Sequence, residues 1–201
     1  MAIIVEHEKR RKEILEKALT VFVDDGFENA TFQKIADRCG ITRTILYLYF
    51  KNKKEIFRYS IKQFLLNAED NMNAISTDKT LNSTGKIKKM FFEIFKELEE
   101  NRQFLFVIMN YLLYLARREV EPEKRVRRRT IKFRFFLTSL MIEGIKAGEI
   151  KKVNVKIAGN YLYYFLEDAI FQLVVLKRKN LNELREAVVF AIDQLTAKAS
   201  S

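Results

Sequence analysis

A single proline, Pro122, and six glycines interrupt 201 residues. Proline removes a helix N–H and clashes with the preceding turn, and glycine costs about 1 kcal/mol in a helix interior. Strands and tight turns need both residues repeatedly, whereas long helices exclude them. The expected fold class is therefore all-α. Hydrophobic residues make up 48% of the chain, enough at this length to form a sizeable core.

Apolar periodicity divides the chain into helices. Ile14, Leu15, Ala18, Leu19 and Phe22 form one stripe and predict a helix over 7–25, ended by Gly26 in a left-handed conformation. Thr31 stands where it caps a second helix carrying Ile35 and Ala36. After Gly40 and Ile41, Thr42 caps a third helix through Tyr49, and Asn52 caps a fourth carrying Ile56, Phe57, Ile61, Phe64 and Leu65. Residues 76–85, STDKTLNSTG, read as a loop.

Beyond that loop the spacing predicts longer helices. Ile87, Met90, Phe91, Ile94, Phe95 and Leu98 share a stripe. Residues 104–114 are apolar on nearly every face and are expected to be deeply buried. After Pro122, a long helix has Ile131, Phe135, Thr138, Met141 or Ile142, and Ile145 in phase, closed by Gly148. Two last helices are expected over 155–177 and 181–197. The first has two apolar faces: Ile157, Tyr161, Phe165 and Asp168 on one, Leu162, Leu166, Ala169 and Leu173 on the other. Two such faces need two partners. Either the helix is wholly internal, or one face meets a second subunit. The expected dimer interface comprises Ile157, Tyr161 and Phe165, with Leu184, Val188 and Ile192 from the last helix.

Two short helices around a sharp turn that holds a glycine are the pattern of a helix-turn-helix. Ile35, Cys39, Ile41, Leu46 and Tyr49 can face inward together, and small Ala36 permits close approach. On spacing alone an ordinary helical hairpin fits equally well. The outward residues favour a DNA reader. Thr42, Arg43, Thr44, Tyr47 and also Leu48 leave the core, and hydroxyl and guanidinium groups there can reach phosphates and base edges.

The segment 14–57, ILEKALTVFVDDGFENATFQKIADRCGITRTILYLYFKNKKEIF, resembles the N-terminal domain of the TetR (tetracycline-repressor-like) family. The shared elements run in order: a helix ending in Phe before Gly, then Thr, Ile-Ala, Gly-hydrophobic-Thr, Leu-Tyr-x-Tyr-Phe and Lys-x-Glu. The resemblance implies a three-helix N-terminal head over 1–53 and a helical ligand-binding and dimerisation domain over 54–201. It implies that Thr31 caps the second helix and touches a phosphate. Thr42, Arg43 and Thr44 open the recognition helix, Tyr47 and Tyr49 press on the backbone or thymine methyls, and Lys53 binds a phosphate. Thr44 departs from the Gly or Ala of many members. The resemblance also implies an apolar ligand cavity, for which Phe95, Met109, Tyr111, Phe136 and Tyr164 are the candidates.

The function so implied is a DNA-binding transcriptional regulator, a homodimeric repressor released from a palindromic operator by a small apolar molecule. A net charge of +11 fits an anionic partner. The excess is not in the head: residues 1–53 hold ten Lys and Arg against eight Asp and Glu, and residues 117–134 hold nine against three. That basic stretch motivates an alternative, a lipid-surface or small-molecule-binding protein, although a solvated helix face explains it as well. An all-α enzyme is a further alternative, but no metal-spaced Cys or His set and no nucleophile–base set stands out. His7, the only histidine, reads as a solvated residue, and Cys39 as a small buried apolar one. Gly85-Lys86 lacks the rest of a phosphate loop. No cofactor or metal is expected. One cysteine permits no internal disulfide, and the longest apolar run, 104–116, is interrupted by Asn110 and too short to span a bilayer. A soluble cytoplasmic protein is the expectation.

Overall fold

The computed structural model describes residues 2–117 and 123–197, all-helical apart from one isolated bridge between Ile150 and Thr196. The helices are α1 (Ala2–Asn29), α2 (Phe32–Cys39), α3 (Arg43–Tyr49), α4 (Lys53–Thr77), α5 (Ser83–Glu100), α6 (Arg102–Arg117), α7 (Glu123–Lys146), α8 (Val155–Val174) and α9 (Asn182–Leu195). Among the described residues none is long and apolar enough to cross a membrane.

The chain forms two compact units: Met1–Asn67 with Gln103–Tyr114, and Ala68–Arg102 with Leu115–Ser201. The division differs from the boundary expected after residue 53. Phe57 of α4 explains why: its ring lies 4.8 Å from Phe22, 5.0 Å from Phe27 and 4.9 Å from Tyr111, so the start of α4 and part of α6 complete the first unit's aromatic core. In that unit α1 begins earlier than expected and breaks at Gly26, whose φ of 75° lies in the region that favours glycine. One further turn follows to Asn29.

In the second unit α5 packs against α7, α8 and α9. Its buried face, Ile87, Met90, Phe91, Phe95 and Leu98, follows the expected stripe. The loop is shorter than expected, because Ser76 and Thr77 donate their hydroxyls to the Asn73 carbonyl and prolong α4, while Asn82 caps α5 by accepting from the Gly85 N–H at 2.8 Å. Glu99 ties α5 to α9, accepting two hydrogen bonds from Arg185 at 2.8 and 2.6 Å and one from the Leu181 N–H at 2.6 Å. The end of α9 is held by the Lys151 N–H to the Leu195 carbonyl and the Ala197 N–H to the Glu149 carbonyl.

Two expectations about faces are corrected. On α7, among the described residues, the buried side chains are Phe133, Leu137, Leu140 and Met141, while Ile131, Phe135 and Ile142, expected inside, are exposed. The aromatic contact of Phe133 with Phe91, at 5.8 Å, shows which stripe meets α5. On α6, Phe104, Leu105, Val107, Tyr111 and Leu115 are buried, but Phe106 and Leu113 are about half exposed at 49% and 54%. The run 104–114 therefore has an outer face.

Candidate nucleic-acid interface

Local chemistry builds the reading head. Thr31 caps α2 by accepting from the Lys34 N–H at 3.2 Å. At the other end Gly40, with φ 67°, adopts the left-handed conformation and returns N–H groups to α2 carbonyls, its own to Asp37 and that of Ile41 to Ala36. Thr42 then caps α3 by accepting from the Ile45 N–H at 3.2 Å. Leu46, fully buried, and Phe50, 1% exposed, anchor the inner side of this short helix.

That anchoring sets what faces out. Thr42, Arg43, Thr44, Tyr47 and Leu48 are exposed. Tyr47 is held: its ring lies 4.6 Å from Phe32, and its hydroxyl accepts from Arg43 at 3.3 Å. Tyr49 is half-buried and stacks on His7, with ring centroids 4.6 Å apart. His7, read as merely solvated, is exposed but braces the end of the recognition helix. Phe32 and His7 escaped sequence reasoning because both contacts join helices whose angle is set by the whole head.

Lys53 is a correction. Its ammonium donates to the carbonyls of Phe27 at 2.9 Å, Glu28 at 2.7 Å and Ala30 at 2.8 Å, and it sits 5.1 Å from the Phe27 ring centroid. An ammonium has three hydrogens, so none remains for a phosphate. Burial pulls its pKa below the usual lysine value, and Glu28 opposes that pull. Lys53 is a pin between the first turn of α4 and the end of α1. Lys51, Lys54 and Arg58 nearby are exposed.

The five ligand-pocket candidates fall in both units. Met109 and Tyr111 belong to the first unit, and Phe95, Phe136 and Tyr164 to the second. Phe95 is fully buried with its ring 5.8 Å from Phe91, Tyr111 is buried against Phe27 and Phe57, and Tyr164 is 57% exposed. The second unit has an open surface cleft of 410 Å³ lined by Asn71, Ala74, Ile75, Thr77, Asp78, Lys89 and Glu93, which includes none of the five.

Of the interface candidates, Ile157 and Tyr161 are exposed and Phe165 is half-buried. Leu184, Val188 and Ile192 are 6%, 0% and 1% exposed, because α9 turns that stripe into its own subunit's core. These three are unavailable to a partner. The outward apolar residues are instead Ile157, Tyr161, Tyr164 and Phe171 on α8 and Phe190 on α9.

Comparison with known proteins agrees with this geometry. Residues 14–59 match the profile of the bacterial regulatory proteins of the tetR family. The chain is 25% identical over 179 residues to the fatty acid metabolism regulator protein of Bacillus subtilis (strain 168), covering 86% of this chain and 88% of that protein. A TetR transcription regulator from Haloarcula marismortui shares the fold with a TM-score of 0.82 at 17% identity, over 94% of this chain and 99% of that one. The regulator FadR from Bacillus subtilis, solved in complex with stearoyl-CoA, shares it with a TM-score of 0.66 at 22% identity, over 90% and 96% of the two chains. With α2 and α3 arranged as a capped helix-turn-helix inside the matched segment, the chain belongs to the TetR family of DNA-binding transcriptional regulators.

Proposed function

We propose that this chain is a homodimeric repressor that grips a palindromic operator through two copies of α3 and releases it when a long-chain acyl ligand binds the helical body. The observation that carries the DNA half is the outward set on α3: Arg43, Thr44 and Tyr47 stand exposed on a helix anchored from behind by Leu46 and Phe50. Arg43 would contact a base edge, Thr31 and Thr42 would place hydroxyls at the backbone, and Lys51 and Lys54 would meet phosphates in place of Lys53. The first unit carries the reading head, and the second is the regulatory part.

The ligand class rests on similarity. A relative is named as a fatty acid metabolism regulator, and a structural neighbour was solved with stearoyl-CoA. The buried aromatic cluster of Phe91, Phe95 and Phe133, where α5 meets α7, is the part of the core proposed to open for the chain. The dimer forms on α8, through Ile157, Tyr161, Tyr164, Phe165 and Phe171, with Phe190 of α9. Two heads then sit at a fixed separation, which matches a two-fold site.

Linkage supplies the mechanism. A ligand that prefers one conformation of the dimer shifts operator affinity, and DNA weakens ligand binding by the same factor, typically about 1–3 kcal/mol. α4 contributes to both units, so a change in the body can reach the head along one helix. The test is fluorescence anisotropy of an operator duplex from the chain's own promoter region, titrated with stearoyl-CoA, stearate and free CoA. Release by the acyl compounds alone supports the reading. A duplex bound equally tightly with every compound defeats its ligand half.

A further inference from the structure

On α3 two apolar side chains are exposed, Ile45 at 40% and Leu48 far more so. Leu48 is 73% exposed, more than any other large apolar side chain among the described residues. A lone exposed leucine is ordinary on a protein surface. This one stands one turn after Thr44 and directly after Tyr47, so it extends the row that faces DNA. Its neighbour is engaged elsewhere: the Tyr47 ring rests against Phe32 and its hydroxyl accepts from Arg43. The isobutyl group is left bare beside the polar side chains of Arg43 and Thr44.

The chemistry of the major groove narrows what can cover it. Guanine presents acceptors there, cytosine an amino donor and adenine one of each. Leucine pressed on any of these would strip water from a polar edge and return no hydrogen bond, which is costly. Thymine alone carries a methyl group on that edge. We propose that Leu48 is a specificity-determining residue that packs on the 5-methyl group of a thymine in each half-site. The proposal rests on the DNA-binding reading and adds a base preference to it. Arg43 and Leu48 then divide the work, with a hydrogen-bonding contact from the first turn of α3 and an apolar one from the last.

The test separates the methyl group from everything else about thymine. Full-length protein selects duplexes from a random library, and the enriched site is resynthesised with uracil in place of each thymine in turn. Uracil pairs identically and lacks only the methyl. The parent protein is expected to lose about fourfold in affinity for each contacted methyl removed, the worth of roughly one buried methyl-sized group. Leu48→Ala is expected to bind the thymine and uracil duplexes equally, and both more weakly than the parent binds thymine. Leu48→Gln, which keeps the side chain's length, is expected to lose the thymine preference as well. Both variants are expected to melt with the parent, since the leucine touches little of the core. A parent that binds thymine and uracil duplexes alike overturns the proposal, as does a thymine preference that survives in Leu48→Ala. If no sequence is enriched, the DNA-binding reading itself fails and the proposal falls with it.

Discussion

At Lys53 three carbonyl oxygens within 2.9 Å surround one ammonium. A charged hydrogen bond contributes about 1.5–3 kcal/mol, and the carbonyls at the end of α1 have few other partners. Lys53→Ala is therefore expected to lower stability by about 2 kcal/mol, seen as a lower urea midpoint, while the salt dependence of operator binding keeps its slope. Lys54→Ala should do the opposite: unchanged stability, weaker binding on every sequence, and a salt slope flatter by about one unit per subunit. Arg43→Ala is expected to relax discrimination by about 1–3 kcal/mol if its guanidinium reads a base pair. It also frees the Tyr47 hydroxyl. Binding curves on the selected site and a scrambled duplex, each at several salt concentrations, distinguish the three outcomes.

Helices with apolar residues on more than one side bury only one of them. On α7 the pair Leu137 and Phe135 shows the contrast: Leu137 is fully buried and Phe135 is 68% exposed. Leu137→Ala is expected to cost about 2–5 kcal/mol by leaving a cavity, while Phe135→Ser should stay within about 0.5 kcal/mol of the parent in monomer stability. The tie between α5 and α9 gives a pH signature. The Arg185 hydrogen bonds hold the Glu99 carboxyl below its usual pKa, helped by the Leu181 N–H and opposed by burial. Because the folded pKa is depressed, the stabilisation is fully present above the ordinary glutamate value and disappears as pH falls through the lower folded value. Glu99→Gln is expected to remove that part of the acid dependence and to lower stability at neutral pH by about 1–3 kcal/mol. Urea melts of parent and variant from pH 7 down to pH 3 should converge at the acid end.

At the scale of the whole molecule, assembly turns on which side chains α8 and α9 leave outside. Tyr161→Lys is expected to convert the proposed dimer to a folded monomer, because it sets a like charge against its own copy across a two-fold interface. Light scattering would give half the parental mass, with the helical circular dichroism unchanged. Val188→Asp should instead unfold the chain, since it buries an unpaired carboxylate in the subunit core. If Tyr161→Lys remains dimeric, the interface lies elsewhere. A monomeric variant should also lose its advantage on a palindrome over a single half-site, since one head contacts one half-site.

Much of this protein is settled within a few residues of chain. The scarcity of breakers makes it all-helical. Thr31, Gly40 and Thr42 place the ends of the head's short helices and Asn52 the start of α4, because a cap needs only its own first or last turn. The stripe on α5 is single, so its inner face was legible too. Where a helix has two apolar stripes, spacing cannot say which meets the core. α7 buries Phe133 and Leu137 rather than Ile131 and Phe135, and α9 keeps Val188 inside while α8 leaves Tyr161 out. Lys53 follows the same logic. Its sequence context allows a phosphate contact, and only the folded chain brings the carbonyls of residues 27, 28 and 30 around it, more than 20 positions away. Local chemistry determines which helices form and where they stop. Long-range packing alone decides which face of each is buried and which side chains remain free to meet DNA, ligand or a second subunit.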